Sequence, residues 1–168
     1  TYLKSVKLDP DPDNSRLFLE LEFSEAGDKE IRLTSFLNGI SAGSAAGKTT
    51  LKFLKIAMDI HPLVLWSLDA PTLYDLDITI LSQGQTDTVR SYFGMRKIEL
   101  DNLGLKINGN RVFQRLVLDQ GYYADGIYTA PDDGDFRRDI LLAKRLGFNG
   151  ARLHERVFDR RFLYEADR

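Results

Sequence analysis

Seven consecutive residues constrain this chain more than any other feature. In Leu17-Phe18-Leu19-Glu20-Leu21-Glu22-Phe23, the residues Leu17, Leu19, Leu21 and Phe23 share one parity, and Glu20 and Glu22 share the other. Successive side chains of a strand point to opposite faces, so this period of two describes a strand buried on one side and wet on the other. Similar patterns recur at residues 3–8, 31–37, 51–56, 76–80 and 88–93. Turn-forming clusters lie between them: residues 9–14, 25–28, Asn38-Gly39 and 82–85. About seven short strands with such turns predict an antiparallel β-sandwich of immunoglobulin-like type over residues 1–100. The chain has no Cys. The inter-sheet disulfide of that class is therefore excluded, as are a thiol nucleophile and a thiolate metal site, and the redox compartment is left undecided.

The period changes after residue 100. Leu105-Lys106-Ile107, Asn108-Gly109 and Val112-Phe113 read as a small hairpin, and Leu116-Val117-Leu118 as a short buried strand. Residues 132–146 read as a helix: Phe136, Ile140 and Ala143 recur at helical spacing, Pro131 and a cluster of acids stand at the start, and Gly147 follows the end. Residues 148–153 read as the next strand, and Asp159 is placed to cap a second helix carrying Phe162, Leu163 and Ala166. Strand, helix, strand, helix is the rhythm of a parallel sheet or barrel. The expected organisation is mainly β, a sandwich domain at 1–100 followed by an incomplete β/α segment at 101–168. Charge excludes little else. Lys and Arg number 23 against 25 Asp and Glu, a net −2, which argues against a nucleic-acid partner. No run approaches the roughly 18 to 20 apolar residues of a membrane span.

One stretch imitates a nucleotide site. Ala42-Gly43-Ser44-Ala45-Ala46-Gly47-Lys48-Thr49 fits the relaxed phosphate-loop pattern, in which backbone N–H groups wrap phosphates and the Lys meets their oxygens. Two features oppose that reading: Ala42 stands where the strict pattern has Gly, and residues 74–81 and 86–93 pair as a hairpin rather than a βαβ unit. The alternative is a small-residue loop joining two strands.

Further motifs carry a family resemblance. Leu65-Trp66-Ser67-Leu68-Asp69-Ala70-Pro71-Thr72-Leu73-Tyr74-Asp75-Leu76 resembles a signature of glycoside hydrolase family 2, with Leu68 in place of the usual Pro. Phe93-Gly94-Met95-Arg96-Lys97-Ile98-Glu99 and Leu105-Lys106-Ile107-Asn108-Gly109 resemble the family's motifs at the junction of its immunoglobulin-like domain and catalytic barrel. Gly147-Phe148-Asn149-Gly150-Ala151-Arg152-Leu153-His154 resembles its second barrel strand, and residues 162–167 the helix that follows. These motifs keep the family's order over residues 62–168, whereas residues 1–61 carry no sharp motif and join by position.

The resemblance implies a fragment of a retaining hydrolase of O-glycosidic bonds in β-glycosides, with a jelly-roll domain before Thr1 and most of a (β/α)8 barrel after Arg168. A full barrel takes about 250 residues. Retention needs two carboxylates about 5 to 5.5 Å apart, which in the family are Glu residues on later barrel strands, one of them following an Asn. No Asn-Glu pair occurs here. No catalytic residue is therefore assigned, and the chain alone is expected to be inactive. Asp119 and Gln120, where many members carry a His-containing segment, are expected to hydrogen-bond sugar hydroxyls, with Tyr122 or Tyr123 stacking on a pyranose. The other reading is a hydrogen-bonded loop with its aromatics in the core. Arg152 matches the family Arg that keeps the nucleophile ionised, or else forms a structural ion pair. His154 is a shifted substrate contact or a surface His. With His61 distant in sequence from it, no metal is expected, and no cofactor is implied. The expected partner is carbohydrate, with neither nucleic acid nor membrane, and a second copy of the chain is one means of covering the barrel strands. The competing class is a non-catalytic carbohydrate-binding or interaction module; a row of surface aromatics would favour it, yet most aromatics occupy positions expected to be buried.

Overall fold

Alternation becomes packing in the first of two units, Thr1–Lys97 and Ile98–Arg168, into which a computed structural model describing residues 1–168 divides. Seven strands build the first unit: β1 (Leu3–Asp11), β2 (Arg16–Phe23), β3 (Lys29–Leu37), β4 (Ile40–Thr49), β5 (Phe53–Asp59), β6 (Tyr74–Ser82) and β7 (Gln85–Phe93). They form two antiparallel sheets, ordered β1-β2-β5 and β4-β3-β6-β7. Leu17, Leu19, Leu21 and Phe23 of β2 are buried against Ile31 and Leu33 of β3 and Tyr74, Leu76, Ile78 and Ile80 of β6. Each such side chain contributes about 1.5 to 3 kcal/mol on leaving water. On the wet face Glu20 meets Lys55 at 2.7 Å and Glu22 meets Lys4 at 2.6 Å. Two hairpins turn on residue pairs with both φ angles positive, Asn38-Gly39 (52° and 79°) and Gln83-Gly84 (50° and 74°). That geometry matches the right-handed twist of the flanking strands.

The phosphate-loop look-alike is neither a nucleotide loop nor the strand-joining loop expected from its small residues. It is strand β4, paired along its length with β3 (Ile31 opposite Gly47, Leu33 opposite Ala45). Its glycines serve close packing: a Cβ on Gly43 would collide with the carbonyl oxygen of Asp59, and one on Gly47 would lie 3.2 Å from Ile56 Cδ1. Lys48 is exposed on the solvent side, 3.8 Å from Glu30. Small residues let the two sheets approach where bulky ones would hold them apart.

Two of the quoted motifs interlock across the end of this sandwich. Trp66 N–H donates to Met95 O at 2.9 Å, and the indole rests on Gly94, where a Cβ would lie 3.2 to 3.3 Å from Trp66. The Arg96 guanidinium lies over the indole, 4.5 Å from its centroid. Tyr74 stacks on Phe93 with centroids 5.0 Å apart and planes at 7°. The Tyr74 hydroxyl donates to Pro62 O and accepts from Val64 N–H, each at 2.7 Å. Burial pushes the Tyr74 phenol above its ordinary pKa.

The second unit holds β8 (Ile98–Asp101), β9 (Gly104–Ile107), β10 (Asn110–Arg111), β11 (Leu116–Asp119), α1 (Asp133–Arg145), β12 (Gly150–Leu153) and α2 (Arg160–Asp167). The division falls after Lys97, ahead of the boundary read at residue 100, because Ile98 already pairs with Ile107 in the β8–β9 hairpin. The hairpin's return strand is Asn110–Arg111, next to the Asn108-Gly109 turn, rather than Val112-Phe113. β11 and β12 pair in parallel, Leu116 opposite Gly150 and Asp119 opposite Leu153, with α1 as the connection. The Asp132 side chain caps α1 by accepting from Asp135 N–H, with Asp133 and Asp135 in the first turn and Lys144 and Arg145 in the last. These charges suit the helix dipole at both ends. Asp159 caps α2 by accepting from Arg161 N–H. Phe136, Phe158 and Phe162 form the buried core, with Tyr123, Ile140 and Leu153 packed on it.

Candidate functional site

Parallel strands deliver their following loops to one end, and in this chain that end collects residues 120–132 after β11 and 154–159 after β12. The sequence singled out Asp119, Gln120, Arg152 and His154 around this end. Asp119 closes β11. Its Oδ1 accepts from Gly121 N–H at 2.7 Å, and its carbonyl accepts from His154 N–H at 2.8 Å, which ties the two strand ends together. Opposite it in register, Leu153 packs on the phenylalanine core, so Asp119 shares the face turned toward α1. The charge there is felt by its neighbours. Asp139 on α1 is held above the ordinary carboxylate range, chiefly by burial, with Asp119 and Asp135 adding to the shift against Arg138. The Tyr123 phenol is raised by burial first and by Asp139 and Asp119 next.

Arg152 and its register partner Leu118 have the other parity. Both are exposed, on the face away from the core. Gln120 is exposed, while His154 is half-buried with Nε2 4.0 Å from Glu155 Oε1. The tyrosines divide. Tyr123 packs edge-on to Phe136 at 6.0 Å, half-buried against the core, whereas Tyr122 is exposed and meets Tyr128 edge-on at 5.2 Å. The structure therefore brings Asp119 and His154 together through the backbone and places Arg152 on the opposite face from Asp119.

Sequence reasoning missed Arg156. Its side chain bridges the two loops, with Nη1 donating to Gly121 O at 2.9 Å and Nη2 to Tyr128 O at 3.0 Å. Beside it lies a cleft of about 270 Å³ lined among others by Tyr123, Tyr128, Phe158, Arg156 and Arg161. Arg161 is fully engaged, with Asp159 and Asp133 each at 2.9 Å. The only sequence signals were a cation two residues after His154 and a tyrosine-rich loop after β11. On the sandwich no aromatic row appears: exposed Phe18 and Phe53 are separated by the Glu20–Lys55 pair, since Phe18 faces Ala57 and Phe53 faces Glu22.

Comparison with known proteins adds a relationship to this geometry. The sequence profile of "Glycosyl hydrolases family 2" matches residues 1–96, including the stretch in which no sharp motif stood out. Beta-galactosidase 2 of Enterobacter cloacae is 32% identical over 124 residues, covering 68% of this chain and 12% of that protein. A beta-galactosidase of Pectobacterium atrosepticum is 30% identical over 122 residues, covering 67% of this chain and 12% of that protein. The chain thus spans about an eighth of these curated relatives. Among solved structures, a beta-glucuronidase of Parabacteroides merdae superposes with a TM-score of 0.84 at 20% identity, over 98% of this chain and 22% of its own. A family 2 glycosyl hydrolase from Bacteroides cellulosilyticus gives 0.85 at 17% identity, over 99% and 25%. At these identities the superpositions establish the fold, antiparallel β-sheets with a smaller helical part.

Proposed function

Because the chain belongs to family 2 of the glycosyl hydrolases, we propose that it is the stretch of a β-glycosidase that joins an immunoglobulin-like sandwich, residues 1–97, to a segment, residues 98–168, that carries the first β/α units of a (β/α)8 barrel. The observation that carries this reading is the parallel β11–β12 pair with α1 as its connection, in the same chain as a sandwich matched by the family profile. Barrel active sites are built from loops at the C-terminal ends of the strands. Asp119, Gln120 and His154 lie at those ends, where Gln120 and His154 meet sugar hydroxyls and Asp119 fixes the turn that presents them. Arg152, on the strand face away from α1, points to the barrel axis and holds a nucleophilic carboxylate in its ionised form.

Hydrolysis follows the retaining route. One carboxylate attacks the anomeric carbon while a second protonates the leaving oxygen, and the second then activates water to release the sugar. Neither carboxylate belongs to this chain, which has no Asn-Glu pair and whose sandwich glutamates Glu20, Glu22, Glu25 and Glu30 are committed to surface ion pairs. The 168-residue chain alone is therefore inactive. The test is turnover of 4-nitrophenyl β-D-galactoside, β-D-glucuronide and β-D-mannoside by the full-length protein and by residues 1–168. The full-length protein should cleave at least one and the short chain none. Turnover by the short chain that survives repurification, or inertness of the full-length protein toward all three, would overturn the reading.

A further inference from the structure

Arg156 does more than fill space between two loops. Its two hydrogen bonds, to Gly121 O and Tyr128 O, grip both ends of the tyrosine loop. Its guanidinium lies 4.9 Å from the Tyr128 ring centroid and 5.1 Å from that of Phe158. A planar group with in-plane donors and faces that stack on aromatic rings is the particular chemistry of arginine; a lysine cannot satisfy both carbonyls and stack. The fit is close. Gly121 passes beneath the guanidinium with φ +62°, and a Cβ there would lie 3.0 Å from Arg156 Nη1 and 2.9 Å from Phe158 Cζ.

The backbone on both sides of this contact is held in a costly conformation. Ile127, in the loop, has φ 57°, and Glu155, next to Arg156, has φ 55°. A β-branched residue in the left-handed region persists only where its surroundings over-determine it. Reciprocal hydrogen bonds between Tyr123 and Ile127 (2.8 and 2.9 Å) close the loop on itself, and Arg156 fastens it to the neighbouring turn. The outward product of this arrangement is a pair of tyrosines, Tyr122 at 67% and Tyr128 at 59% exposure, edge to face.

We propose that Arg156 is a positioning residue that holds Tyr122 and Tyr128 as a rigid rim against which the leaving group of a β-glycoside packs. This rests on the β-glycosidase reading. The rim offers ring faces, while the donors of Arg156 that reach it are turned inward to carbonyls. It therefore suits a group recognised by stacking, an aromatic aglycone or a sugar face, more than a ring read by many hydrogen bonds. Rigid aromatics also lose little freedom on binding.

The test compares Arg156→Ala, Arg156→Lys and Tyr122→Ala with the parent in the full-length protein. Each is assayed on the 4-nitrophenyl glycoside that the parent cleaves and on the corresponding methyl glycoside, whose leaving group has no ring face to stack on the rim. Arg156→Ala and Tyr122→Ala should raise KM for the nitrophenyl substrate about 10-fold with kcat within about 2-fold, and leave KM for the methyl substrate nearly unchanged. Arg156→Lys, which keeps one carbonyl contact, should fall between. Hydrogen exchange should show amides of residues 121–130 losing protection in Arg156→Ala while α1 keeps its own. An unchanged KM in Tyr122→Ala, or an equal loss on both substrates, overturns the rim; unchanged exchange overturns the clamp. A full-length protein inert to every β-glycoside would instead defeat the glycosidase reading, and the rim with it.

Discussion

Two glycines four residues apart, Gly43 and Gly47, should respond very differently to the same added methyl group. A Cβ on Gly43 would collide with the backbone carbonyl oxygen of Asp59, with Ser35 Oγ at 3.1 Å and Met58 Cγ at 3.2 Å behind it. A backbone atom fixed in β5 cannot step aside. The cost belongs at the upper end of the roughly 1 to 3 kcal/mol of overpacking, less about 0.4 to 1 kcal/mol gained by restricting the unfolded chain. Gly43→Ala should therefore lose about 2 kcal/mol. On Gly47 the same methyl meets only side-chain tips, Ile56 Cδ1 at 3.2 Å and Leu54 Cδ2 at 3.5 Å. Those tips can move, so Gly47→Ala should stay within about 1 kcal/mol of the parent. Trp66 is the only Trp and lies in the sandwich, so its fluorescence reports that unit alone. At about 4 to 8 °C per kcal/mol for a unit of this size, Gly43→Ala should melt roughly 8 to 16 °C lower. Lys48→Ala should be silent in the same assay, since an exposed pair contributes about 0 to 1 kcal/mol. Equal melting of the two glycine variants, or a larger loss in Gly47→Ala, would refute the close approach of β4 and β5 as the reason for these residues.

Other expectations follow from single contacts. Tyr74→Phe keeps the stack on Phe93 but leaves Pro62 O and Val64 N–H without their partner, and urea denaturation followed by Trp66 fluorescence should show a loss of about 1 to 3 kcal/mol. Arg161 holds the Asp159 carboxyl at about 2, well below its ordinary range, so the unfolded state takes up the proton first as the solution is acidified. The stability contributed by this cap is complete above about pH 4 and is lost as pH falls toward 2. Amide NMR of α2 across that interval should show fraying in the parent, and Asp159→Asn should remove that part of the pH dependence. An identical acid profile in the variant would contradict the assignment.

How much of this was legible in the residues depended on what their chemistry could announce. β2 declared itself because its buried parity is Leu, Leu, Leu, Phe and its wet parity is largely Glu. β4 did not, because its inward positions are Gly43, Ala45 and Gly47, chosen for closeness to β5 rather than for apolar bulk, and Gly47-Lys48-Thr49 then imitates a phosphate loop. The cap at Asp159 and the acidic start of α1 were readable from local sequence, since each needs only its own helix; that Asp132 is the cap itself, rather than the first helical residue, was not. The interlock of Trp66 with Gly94 was not, because it joins positions far apart in sequence whose contact no periodicity encodes. At the candidate site, the placement of Asp119 at a strand end was legible. Its turn toward α1 depends on pairing with Leu153, which sequence alone does not supply. Arg156 carried no motif; its role exists only once Gly121, Tyr128 and Phe158 surround it.

The most direct test of the central claim is proton NMR of the sugar released by the full-length protein from the β-glycoside it cleaves, read before the anomers equilibrate. A family 2 glycosidase working through a glycosyl-enzyme intermediate should release the β-anomer first, with the α-anomer growing only as mutarotation proceeds. First appearance of the α-anomer, or no release from any β-glycoside offered, would contradict the account.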